Sequence, residues 1–92
     1  MTYRTEFPDY PPESMPAIPA GWIDTSWHND TCPSFQVGEN GPQVYVDYLN
    51  PARREIEGCP RFTVIVYDEN DEQMPPLLET DDWSAVLQLL GA

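Results

Sequence analysis

The chain contains no lysine, and its whole basic complement is Arg4, Arg53, Arg54 and Arg61. Against these stand sixteen acids, for a formal net charge of −12. So few cations exclude a surface that grips phosphates, since each apposed phosphate would add repulsion. Direct contact with DNA, RNA or an anionic membrane is therefore not expected. With one histidine and two cysteines, a disulfide-framed domain is excluded as well. No apolar run approaches the length that spans a bilayer. The acidic, proline-rich N-terminal stretch also lacks the apolar core of a signal peptide, so the expected location is the cytoplasm. Nor is there a glycine-rich phosphate cradle.

What is present suffices for one small globular domain. Ninety-two residues, 40% of them hydrophobic and 12% aromatic, can build a single core. Stability is expected toward the low end of the range of about 5–15 kcal/mol. The charge works against compaction and favours a basic partner.

Residues 1–20 hold Pro8, Pro11, Pro12, Pro16 and Pro19 among Tyr3, Phe7, Tyr10, Met15 and Ile18. Proline at this density disfavours helix and central strand, so an extended arm is expected, wrapped on its own domain or on a neighbour. Residues 21–92 are expected to form one compact domain. Trp22 to Trp27 reads as a short irregular strand, with a turn at His28-Asn29-Asp30. Ser34–Val37 is a strand, and Gly38-Glu39-Asn40-Gly41 a hairpin turn. In the strand Gln43–Leu49, Val44, Val46 and Tyr48 share one face. After a loop at 52–58, the long strand Arg61–Tyr67 sets Phe62, Val64 and Val66 on one face and Thr63, Ile65 and Tyr67 on the other. Pro75-Pro76 keeps the backbone extended. Thr80 is the expected N-cap of a helix in which Trp83, Val86, Leu87 and Leu90 form one stripe. The fold class is α+β: a three- or four-stranded antiparallel sheet packed by one C-terminal helix, with an extended Pro-rich N-terminal arm.

Three chemical readings were weighed against plain structural ones. Ser26, His28 and Asp30 alternate on one stretch, but near neighbours on a strand do not give a base placed between nucleophile and orienting acid. His28, Cys32, Cys59 and Asp30 make a poor zinc set, with one remote cysteine and one carboxylate. Cys32 and Cys59 each precede a proline and are read as buried free thiols or as a disulfide. Asp68-x-Asn70-x-Glu72 places oxygens at the 1, 3 and 5 positions of a calcium loop, with Glu79 at 12, but the loop lacks its glycine and a preceding helix. No catalytic set, metal or cofactor is expected.

The carboxylates themselves remain. Asp68, Glu69, Asp71, Glu72, Glu79, Asp81 and Asp82 fall within fifteen residues that contain no base. Strand residues two apart repeat about every 6.6 Å, and a DNA duplex carries one charge per roughly 1.7 Å of axis. Such an array suits the lysines and arginines that would otherwise hold a phosphate backbone. Its main contacts are expected at Asp68, Glu69, Asp71, Glu72, Asp81 and Asp82, with Glu55, Glu57 and Asp47 secondary.

Three phrases carry a resemblance. They are Gly21-Trp22-x-Asp24-x-Ser26-Trp27-His28-Asn29-Asp30-x-Cys32-Pro33-Ser34-Phe35, Val46-Asp47-Tyr48 and Leu78-Glu79-Thr80-Asp81-Asp82-Trp83. They resemble those of short phage and mobile-element proteins, and the overall character is similar to small anti-CRISPR proteins, several of which are acidic nucleic-acid mimics. The resemblance implies a monomeric inhibitor, working in the host bacterial cytoplasm on a type I CRISPR effector complex at a basic surface meant for DNA. Blocking nuclease recruitment and inducing dimerisation are other routes in that family, which offers no catalytic motif to carry over. The alternative from another class is a phage accessory or structural protein docking through its aromatic, Pro-rich arm. A third reading is a small metal-binding domain.

Overall fold

The computed structural model describes residues 2–92. Five strands form one antiparallel sheet in chain order: β1 (Ile23–Asp24), β2 (Ser34–Gln36), β3 (Gln43–Val46), β4 (Phe62–Ile65) and β5 (Leu78–Thr80). A one-turn helix α1 (Tyr3–Glu6) precedes them, and α2 (Trp83–Leu90) closes the chain. The α+β class follows from these elements, with one strand more than the upper expected count. The extra strand is β5, whose Leu78 and Thr80 stand opposite Val64 and Phe62. In the sequence it reads only as an extended link after Pro75-Pro76.

Alternation built the sheet. Val44 and Val46 are fully buried, as is Val64, with Phe62 at 2% exposure beside them. Register brings the two pairs together, Val44 opposite Val64 and Val46 opposite Phe62. Burying each such side chain contributes about 1.5–3 kcal/mol. The strand expected over Arg61–Tyr67 ends at Ile65, with an isolated bridge from Tyr67 to Gln73 beyond it. The strand expected over Gln43–Leu49 ends at Val46.

Helix α2 lies over β4 and β5. Val86 is its fully buried residue, while Trp83 and Leu90 pack against the core. Its N-cap is Asp82, not the expected Thr80: the Asp82 carboxylate accepts from Ser84 N at 3.0 Å. Thr80 is held in β5, where its hydroxyl accepts from Asp82 N at 3.0 Å. At the other end Gly91 takes a left-handed φ of 69°. There the amides of Gly91 and Ala92 turn back to the Gln88 and Leu87 carbonyls, as glycine permits without a Cβ clash.

The proline-rich segment covers the other half of the same face. It is not extended throughout, since α1 precedes its first proline and a 3-10 turn spans Pro12–Ser14. Phe7 and Tyr10 are buried in the core. Tyr3 meets Phe35 edge-on at 6.3 Å, and Tyr10 meets Tyr48 at 5.0 Å between ring centroids. Aromatic pairs of this kind add about 0.5–1.5 kcal/mol beyond the area they bury.

Candidate protein-interaction surface

The arginines decide what the acidic surface can do. The Arg61 guanidinium donates to Asp47 O at 3.0 Å, Tyr10 Oη at 3.0 Å and Ser14 O at 2.6 Å. Arg54, with its side chain only 7% exposed, donates to Tyr48 O, Cys59 O and Leu49 O and lies 3.6 Å from Asp81. Arg53 pairs with Asp9. These three cations are spent on the chain's own carbonyls and acids. Among the described residues Arg4, exposed on α1, is the one base outside such a set.

The carboxylates divide by role. Asp68 Oδ1 accepts from Asn70 N at 2.8 Å and Glu72 N at 2.9 Å, and so shapes the turn it begins. Asp71 sits there at a φ of 61°, a left-handed position that Asp, Asn and Gly tolerate. Asp81 Oδ1 accepts from Arg61 N at 2.8 Å. Asp82 caps α2, and bonds from the Ser84 hydroxyl and amide hold its carboxyl below the usual range. Asp47 accepts from Tyr48 N at 2.8 Å, and burial pushes its carboxyl up against the opposing pull of that bond and of Arg54 and Arg61. Glu69, Asp71, Glu72, Glu55 and Glu57 are exposed. Their side chains accept no hydrogen bond from the described residues.

The nine acids named from the sequence do not form one row. Asp68, Glu69, Asp71 and Glu72 occupy the β4–β5 turn, at one end of the sheet. Asp81 and Asp82 lie beside Arg61 at the other end of β4, near Asp47 and Glu55. The step from Arg61 to Asp68 at about 3.3 Å per residue sets the two groups roughly 20 Å apart. Glu39 joins the first group by topology: its hairpin turn and the 68–72 turn border one 550 Å³ groove lined by Asn40, Gly41, Asp68 and Asp71. Sequence reasoning did not single out Glu39, although a meander puts alternate turns at the same end.

The candidate catalytic and metal sets are not assembled: Asp30, Cys32 and Cys59 border one groove, but His28 is turned to Glu6. Ser26 is buried, and its hydroxyl accepts from Ser34 N at 3.2 Å. His28 Nδ1 lies 2.9 Å from Glu6 Oε1, and the bond holds the Glu6 carboxyl below the usual range. Among the described residues no group of three or more His, Cys, Asp or Glu side chains is placed to hold a metal ion. Nor is any helix among them long and apolar enough to cross a membrane. Phe7 and Tyr10 belong to the core, so as folded they are not free to dock elsewhere. Both cysteines are free thiols. Comparison with family models, curated proteins and solved structures finds no match for this chain.

Two expected results follow. Burial, helped by the charge of Asp47, pushes the Cys32 thiol up to about 12, so almost no thiolate exists at neutral pH. Ellman's reagent will therefore titrate one fast thiol, Cys59, in the native protein and two in denaturant. Two fast native thiols would contradict the burial of Cys32.

The second concerns pH. Protonating a raised Asp47 relieves the cost of burying its charge, and acid also relieves the self-repulsion of a −12 chain. Stability from these two sources therefore rises as pH falls from neutral into the carboxylate range. The lowered groups Glu6 and Asp82 contribute stability above their unfolded values, and this is lost as pH falls through their folded ones, below roughly 4. A melting temperature higher in mild acid than at pH 7, and falling again below roughly 4, is expected; one that falls steadily from pH 7 downward would contradict it.

Proposed function

We propose that this protein is a non-enzymatic inhibitor that occupies a basic, DNA-binding surface of a type I CRISPR effector complex. Its acids stand in for phosphates there, and target DNA is kept out. One observation carries the reading: Glu69, Asp71 and Glu72 stand free on a turn whose shape Asp68 fixes, while Arg54 and Arg61 are committed inside the fold and Arg53 pairs with Asp9 at the surface. A rigid turn presents its charges without the ordering cost of a flexible acidic tail. Pairing of three of the four arginines leaves the field predominantly negative, which steers a basic partner. The choice of CRISPR effector comes from the resemblance of the tryptophan-rich and Asp81-Asp82-Trp83 phrases.

The reading is tested by plaquing. A phage targeted by a type I CRISPR host should regain its titre when the protein is expressed in that host, by several orders of magnitude. An unchanged titre across type I subtypes, with the folded protein present in the cells, would remove the CRISPR assignment.

A further inference from the structure

The sheet face turned away from α2 carries a groove of about 490 Å³. Tyr45, Thr63 and Ile65 form its floor, and the loops 29–32 and 55–60 its walls. The floor joins the Tyr45 ring to Thr63 and to Ile65, which is buried at 6% exposure, and the wall adds the apolar side chain of Ile56, 63% exposed. Around it stand Asp30, Asp47 and Glu55. Arg61 also borders the groove, but its guanidinium is held by Asp47 O, Tyr10 Oη and Ser14 O.

An apolar floor beneath acidic walls fits one class of side chain. Lysine and arginine carry a long aliphatic stem that lies on apolar surface and a charged head that seeks an anion. We propose that this groove receives a lysine or arginine side chain of the basic partner, its stem against Tyr45 and Ile56 and its head between Asp47 and Glu55. The proposal rests on the reading that the partner is a basic protein, and adds an anchoring pocket separate from the 68–72 turn. Charge complementarity selects the occupant, since the groove offers three carboxylates and no uncommitted cation. Asp47 gains most: its carboxylate is half withdrawn from water and takes only the adjacent Tyr48 amide. An arriving cation would add to the pull that Arg54 and Arg61 already exert on it.

The test is an amide NMR titration with the blocked tripeptide Gly-Arg-Gly, with Gly-Gln-Gly as control. Saturable shifts at Tyr45, Asp47 and Thr63 are expected, with roughly millimolar affinity and none from the glutamine peptide. Glu55→Gln, an exposed and structurally mild change, should weaken binding about fivefold or more, and Asp47→Asn at least as much. Neutralising Glu69, Asp71 and Glu72 should leave the groove shifts in place. Shifts that fail to saturate, appear equally with glutamine or are confined to residues 68–72 would overturn the proposal. Because the titration needs no effector complex, its failure is distinct from a failed plaque assay.

Discussion

Replacing Arg61 with alanine will lower unfolding free energy by about 3 kcal/mol or more, the largest effect expected outside the apolar core. The guanidinium reaches two pieces of chain far from it in sequence: Asp47 after β3, and the N-terminal segment at Tyr10 and Ser14. It also lies 5.0 Å from the Phe62 ring centroid. Removing it takes away three charge-assisted bonds, each contributing about 1.5–3 kcal/mol, and leaves Ser14 O without a donor, while Asp47 O keeps the Tyr10 hydroxyl at 3.1 Å. Lysine would recover little, because one ammonium cannot reproduce the planar fork. Urea titration checks this, and a loss below about 1 kcal/mol would mean that water or a neighbour takes over those acceptors. Loss of Arg61 should also free residues 2–20 to exchange amide hydrogens faster than the sheet does.

The second large effect separates folding from function. A variant carrying Glu69→Gln, Asp71→Asn and Glu72→Gln will bind the effector roughly 100-fold more weakly, taking about 1 kcal/mol or somewhat more for each lost contact. Asparagine is chosen at position 71 because the left-handed backbone there suits it. Asp68 is left intact because it builds the turn. Melting temperature should hold or rise, since the substitutions relieve repulsion and remove no internal bond of the described residues. Undiminished binding would sink the assignment of the turn as the contact.

The main lines of the sheet were legible because alternation is a strong local signal. Val44, Val46 and Tyr48 had to share a face, as did Phe62, Val64 and Val66, and all of them but the half-buried Val66 are buried. The stripe of Trp83, Val86 and Leu90 likewise placed α2 on the core. What escaped was whatever depends on distant partners. Leu78-Glu79-Thr80 is too short to read as a strand until β4 lies beside it. Thr80 and Asp82 are both good caps, and only strand pairing removes Thr80 from the choice. The aromatics of the proline-rich stretch pointed to an arm wrapped on its own domain or on a neighbour, but nothing local marked Phe7 and Tyr10 as core residues. Of the candidate surface, the acidic residues were plain, but their division between two ends of the sheet was not. A linear count of carboxylates carries no topology; the β4–β5 hairpin separates Asp68–Glu72 from Asp81–Asp82 by the length of a strand. The use of Arg54 and Arg61 on backbone carbonyls was equally hidden, because carbonyls are invisible in a residue pattern.

The most direct test of charge mimicry is displacement of labelled target DNA from a purified type I effector complex, followed over a range of salt concentrations. The account predicts competitive displacement by the protein, with an affinity that falls steeply as salt rises, and a shallower salt slope for the turn variant. Failure to displace DNA, or displacement that ignores salt and the state of Glu69, Asp71 and Glu72, would contradict it.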